Sequence, residues 1–188
     1  MMSRALLASL ASLALAAVLA ASAASAGGSG AISAAGRIGP LQIDKSTRAD
    51  VVAFAGAPDA EVRERVFGFG QYIGLGYDCQ ENRSDSTFTL GNSGPYCRTA
   101  YFLDINTRKL EDFVTTSASF REARGVRIGT SLADAQRLLR TTADRSCLTV
   151  IRVDTATAKL RVNVGGRGVD TFALHSLLRT SGLFNCMA

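Results

Sequence analysis

Two similar nine-residue segments, residues 46–54 (STRADVVAF) and 130–138 (TSLADAQRL), each carry a hydroxyl side chain followed three positions later by aspartate. Thr47 with Asp50, and Ser131 with Asp134, form a variant of the capping box in which Asp takes the place of Glu or Gln, so each hydroxyl is expected to start a helix. Val51, Val52 and Phe54 on the first segment, and Leu132, Ala135, Leu138 and Leu139 on the second, make both helices short and amphipathic. The first is expected to stop at Gly56-Ala57-Pro58-Asp59, where glycine suits a left-handed terminus and proline cannot continue. Gly39 with Ile43, and Gly125 with Ile128, precede the two helices, so the pattern reads as a unit used twice.

Strand signals follow each helix. Residues 72–79 alternate, which places Ile73, Leu75, Tyr77 and Cys79 on one face. Residues 97–105 and 110–115 read as a hairpin turning through Asn106, Thr107 and Arg108. In the second copy residues 148–153 and 158–164 form another hairpin, residues 165–168 (GGRG) the next turn, and residues 169–178 the next strand. The expected fold class is therefore α+β. It consists of two tandem repeats, residues 38–120 and 121–188, each a short helical segment followed by an antiparallel β-sheet with one disulfide. Residues 27–37, rich in Gly, Ser and Ala, are expected to be a flexible leader.

Compartment follows from the other end of the chain. Arg4 precedes an uncharged run of Ala, Leu, Ser and Val, and Ala24-Ser25-Ala26 has the small-x-small form of a cleavage site, so residues 1–26 read as a secretory signal peptide. No cysteine lies near that site, and no basic cluster follows as a stop-transfer signal. The expectation is a secreted protein without a lipid anchor or a membrane span. Cys79, Cys97, Cys147 and Cys186 then make an even set in an oxidising compartment, with three possible pairings. Pairing within each half, Cys79 with Cys97 and Cys147 with Cys186, is expected, because four antiparallel passes return Cys186 beside the strand that begins at Cys147. Each closed loop stabilises a small fold by about 3 to 4 kcal/mol in the chain-entropy account.

The order helix, Gly-x-Pro-Asp turn and antiparallel strands, used twice, resembles the β-lactamase inhibitory protein-like fold, and the single unit resembles the SmpA/OmlA family of envelope proteins. Residues 39–59 and 125–139 carry the resemblance. It implies a binding module that acts through its sheet surface. The second copy departs from the pattern, with Thr141-Thr142-Ala143-Asp144 at the turn, and the chain has no tryptophan, whereas those inhibitors use a surface rich in large aromatics. No inhibitory residue is carried over.

Chemistry-bearing patterns are sparse. The only histidine, His175, sits between Leu174 and Ser176 in an apolar strand and reads as a structural or exposed imidazole. Residues 91–95 (GNSGP) resemble in outline the nucleophile loop of chymotrypsin-like proteases, with Ser93 as nucleophile, but read more simply as a surface loop. Gly68, Gly70, Gly74 and Gly76 fit no phosphate-binding spacing and are expected where strands pack closely. Glu81, Asp85, Glu111 and Asp112 are expected to be solvated. No cysteine or histidine spacing suggests a metal site, and no cofactor is expected. The formal charge of +5 is spread among alternating signs, which gives nucleic acid no phosphate-binding stripe.

Aromatic residues, in contrast, are concentrated between Phe67 and Phe102. Phe67, Phe69, Tyr72 and Tyr96, flanked by Arg63, Arg65, Arg83 and Arg98, are the candidate interface, since Tyr, Phe and Arg are favoured in binding surfaces. The expected function is a secreted, non-enzymatic protein-binding module, with an inhibitor-like mode as one form of it, and an unknown extracellular or envelope protein as partner. A cell-envelope maintenance protein that binds wall or envelope components is the alternative, and a small secreted hydrolase using Ser93 or His175 is a third reading.

Overall fold

A computed structural model describes residues 28–66, 70–92, 94–144 and 149–177. Along this chain lie β1 (Gly30–Ser33), β2 (Arg37–Ile38), β3 (Leu41–Gln42), α1 (Arg48–Ala55), β4 (Ala60–Val66), β5 (Gly70–Gln80), β6 (Phe88–Thr89) and β7 (Tyr96–Asp104). They are followed by β8 (Leu110–Thr115), β9 (Phe120–Glu122), α2 (Leu132–Leu139), β10 (Ala143–Asp144), β11 (Val150–Asp154), β12 (Ala158–Gly165) and β13 (Gly168–Ser176).

Both helices start where their capping residues predict. Thr47 accepts a hydrogen bond from the Asp50 N–H at 3.4 Å, and the Asp50 carboxylate accepts from the Thr47 N–H at 2.7 Å. Ser131 accepts from the Asp134 N–H at 3.2 Å. The Thr47 amide, reinforced by its hydroxyl, holds Asp50 below its ordinary pKa; Arg137 and then Ser131 do the same for Asp134. Carboxylates lowered in this way add stability above their unfolded pKa and lose it as the pH falls through the folded value. At the other end of α1, Gly56 takes φ 84°, and the Tyr77 hydroxyl donates to its carbonyl at 3.1 Å. α2 ends at Arg140, in the left-handed region, while Arg124 donates to the Leu139 carbonyl at 2.9 Å.

The α+β expectation of two tandem repeats, each with its own sheet and disulfide, is overturned. The described residues are mostly strand, and the two helices among them have eight residues each. The strands of both halves form one nine-stranded sheet in the order β10-β11-β12-β13-β8-β7-β5-β4, with β6 also pairing with β7. The two halves meet where β13 runs antiparallel to β8, setting Phe172 opposite Thr115, Leu174 opposite Phe113 and His175 opposite Asp112. The physical reason lies in β8: Leu110, Asp112, Phe113, Val114 and Thr115 are all buried, so this strand cannot serve as a solvent-facing edge.

A second sheet, β3-β2-β1-β9, was not expected. Residues 30–33, inside the supposed flexible leader, form β1, which pairs with β2 and runs parallel to β9. Ile32 is fully buried there, and apolar burial of that kind anchors a segment that its Gly and Ser content would otherwise leave mobile.

On one face of the large sheet the core includes Leu75, Tyr101, Phe113, Leu160, Phe172 and Leu174, closed over by Val51, Ala55, Ala135, Leu139 and the small sheet. Ring contacts run through it from Tyr77 to Tyr101 (5.5 Å), Phe113 (5.0 Å) and Phe120 (5.1 Å), stepping from β5 across β7 and β8 into β9. Such pairs add about 0.5 to 1.5 kcal/mol each beyond their buried area. The opposite face gathers Tyr72, Leu90, Cys97, Ala100, Phe102, Val114 and Ala173.

The alternation expected over residues 72–79 holds for Ile73, Leu75 and Tyr77 but not for Cys79. Asp78 adopts φ 52°, and Cys79 packs with the opposite cluster, bonded to Cys97 at 2.06 Å. Cys147 and Cys186 lie outside the described residues, so the second expected bridge does too. Gly76 lies against the described one: a Cβ there would come 2.6 Å from Cys97 Sγ, 2.7 Å from Leu90 Cδ2 and 2.8 Å from Cys79 Sγ.

Thr47→Ala and Ser131→Ala should each cost about 0.5 to 2 kcal/mol in denaturant melts, as loss of a helix N-cap does. Gly76→Ala should cost about 1 to 3 kcal/mol, the usual range for overpacking, with the disulfide and Leu90 displaced.

Candidate functional site

Among the described residues, the members of the expected aromatic and arginine interface do not form one exposed patch. Tyr72 is 3% exposed and packs edge-on against Phe102, ring centroids 5.1 Å apart. It shares its strand face with Gly74 and Gly76, whose missing side chains let the second core cluster close over that face. Tyr96 is half-buried at the start of β7. Phe67 and Phe69 lie outside the described residues, and Arg65 is placed only by its backbone, in β4. Arg63 is exposed, 3.7 Å from Glu61, which also receives Arg48 at 2.9 Å. Arg98 is exposed and 3.5 Å from Asp78. These exposed ion pairs add little stability individually.

Arg83 has a different setting. It lines a cleft of about 520 Å³ between the loop at residues 83–87 and the β12–β13 turn at residues 165–168, with Thr116, Ile128, Gly129 and Asp170 also on its walls. The glycine-rich turn, which the sequence marks only as a chain reversal, thus contributes a wall. Gly168 is required there. Its φ is 104°, and a Cβ would stand 2.6 Å from the Thr130 carbonyl and 2.8 Å from that of Gly129. Val169 and Gly129 clamp this approach through their backbones, with Gly129 N–H to Val169 O at 2.7 Å and Val169 N–H to Thr130 O at 2.8 Å. On the other wall the Thr116 hydroxyl donates to the Ser86 carbonyl. Arg167 and Asp85, both almost fully exposed, approach to 3.2 Å. Two loops distant in sequence therefore present cations, carboxylates and backbone groups at one rim.

The sequence also missed a buried polar cluster at the seam of the sheet. His175 Nδ1 lies 3.0 Å from Asp112 Oδ1, and the side chains are 3% and 2% exposed. Asp112 was expected to be solvated, which the structure corrects. It shares strand parity with Val114, which packs in the second cluster, and that alternation was the available signal for its inward position. Next to His175, the Ser176 hydroxyl donates to Asp44 at 2.9 Å. Burial raises the pKa of Asp44, the Ser176 hydroxyl opposes this, and the Asp112 charge adds to the rise. The His175 imidazole is thus enclosed by the fold and not exposed to solvent. Ser93 lies outside the described residues. Among the described residues no group of three or more His, Cys, Asp or Glu is placed to hold a metal ion.

No protein-family model matches the chain, and no curated protein sequence matches it significantly. Among solved structures, a DUF4309-family protein, YjgB, of Bacillus subtilis is similar over 73% of this chain and 83% of its own, at 16% identity and a TM-score of 0.39. An extracellular protein containing an SCP domain from Bacillus anthracis is similar over 74% of this chain at 10% identity and a TM-score of 0.39; the match spans 49% of that protein.

Two expectations test these placements. Tyr72→Ala should lower stability by about 3 to 5 kcal/mol, as large aromatic truncations in cores do, instead of selectively weakening a partner. Asp44→Asn, which keeps an acceptor for Ser176 and tolerates the left-handed backbone at Asp44 (φ 63°), should gain stability relative to the unaltered chain as the pH rises. A raised carboxyl pKa means that the folded state loses stability between the unfolded and folded values as the group ionises, and the amide removes that loss. Thermal melts across a pH series read the difference.

Proposed function

We propose that the chain is an exported binding protein that engages an extracellular or envelope protein through the cleft between residues 83–87 and 165–168. The observation that carries this reading is the convergence of Arg83, Arg167, Asp85 and Asp170 around a cleft whose wall includes half-buried Ile128 and buried Val169. Apolar surface set within a charged rim is the arrangement binding sites favour, and exposed arginines suit acidic side chains on a partner. The Cys79–Cys97 disulfide supports an oxidising compartment, and the leader at residues 1–26 supports export with cleavage near Ala26. Among the described residues no helix is long and apolar enough to cross a membrane.

This reading keeps the protein-binding expectation but moves its surface from the Tyr72 region to the loop end of the sheet. Hydrolysis through His175 is less well supported, because its imidazole is sealed against Asp112. Affinity capture from the secreting cell's envelope and medium tests the proposal, with the secreted chain as bait. Arg83→Ala with Arg167→Ala should weaken the captured partner by more than about 1 kcal/mol per hot-spot residue while leaving the melting temperature unchanged. His175→Ala, compared at matched folded fraction, should leave capture intact; the reverse pattern would place the site elsewhere.

A further inference from the structure

The nine-stranded sheet ends on one side in a strand long enough to matter. β10, at the far edge, has two residues, whereas β4 has seven and, among the described residues, pairs only with β5. An edge of that length offers a row of backbone donors and acceptors to another strand. Edges are commonly protected by charge of one sign, which repels a second copy. β4 is built differently, since Glu61 and Arg63 carry opposite signs on the same strand face, 3.7 Å apart.

We propose that β4 is the seat of a second copy of this chain, added antiparallel and edge to edge about a two-fold axis through Val62. In an antiparallel pair, residues directly opposite share a face, and two-fold symmetry makes each cross-strand pair occur twice. Centring the axis on Val62 sets Val62 opposite its own copy and Glu61 opposite Arg63 in both directions. It also brings Asp59 opposite Arg65 at the ends. Moving the axis by two residues to Glu64 instead sets Glu64 against itself and Arg63 against Arg65, which like charges disfavour. The charge order of β4 therefore selects one register. Val62 packs against the second core cluster, so its self-contact would extend buried apolar surface from one molecule into the next. Arg48, at 2.9 Å from Glu61, supplies a further cation at the same face.

Sedimentation of the secreted chain tests this with a charge exchange. The unaltered protein is expected at twice the chain mass, with the dimer weakening as salt rises because exposed pairs are screened. Glu61→Arg and Arg63→Glu, each alone, should run as monomers, since each sets like charges opposite one another. Mixed in equal amounts they should return to twice the mass, because positions 61 and 63 of one variant then face opposite charges at positions 63 and 61 of the other. A monomeric unaltered chain at its highest soluble concentration overturns the proposal. So does a dimer indifferent to both substitutions, or a mixture that stays monomeric. Should either variant fail to fold, hydrogen exchange on the unaltered chain decides: those amides between Ala60 and Glu64 that point away from β5 should become protected as concentration rises, and exchange of these amides independent of concentration contradicts the interface.

Discussion

The antiparallel contact between β8 and β13 is the interaction on which the rest of the molecule depends. Without it, β8 would end the N-terminal strands as an edge lined by Leu110, Phe113 and Val114, and β13 would end the C-terminal strands with Phe172, Ala173 and Leu174 unpaired. Joining them places both sets of apolar residues inside one sheet and brings Asp112 beside His175 in the interior. A buried carboxylate is tolerated only when a partner compensates its lost hydration, and the 3.0 Å contact with imidazole supplies part of that compensation. The ring sequence from Tyr77 to Phe120 then ties the joined sheet to the smaller one.

The same seam positions the candidate cleft. Its walls come from the β5–β7 side, through the loop at residues 83–87, and from the β12–β13 turn, which lie at a common rim because β8 and β13 are neighbours. Thr116, immediately after β8, bonds to Ser86, while Gly168 at the start of β13 packs on Gly129 and Thr130. The strands thus hold loops from both halves at one rim.

Local signals in the sequence predicted local features well. The Thr47 and Ser131 caps, the turn at Asn106-Thr107-Arg108, the residues 165–168 turn and the Cys79–Cys97 bridge all depend on residues close together in the chain, and each is present. The features that differ are non-local. Nothing between residues 115 and 172 announces that β8 will pair with β13, so two similar segments read as two separate units. β1 is concealed by its glycine, alanine and serine content, since its order comes from pairing with β9 far along the chain. Tyr72 looked like an interface residue because tyrosine is common in interfaces, yet Gly74 and Gly76 beside it imply close packing. Those glycines were the legible clue that this face is covered.

One sheet runs through both halves of the chain and is expected to open as a single cooperative unit. Native-state hydrogen exchange across a denaturant series tests it most directly, because it resolves separately opening units. The amides of β8 and β13 should belong to the slowest-exchanging class and merge with those of β7 and β12 in a single global opening. Two independent openings, one for β5–β8 and one for β11–β13, with the β8–β13 amides lost before either, would contradict it.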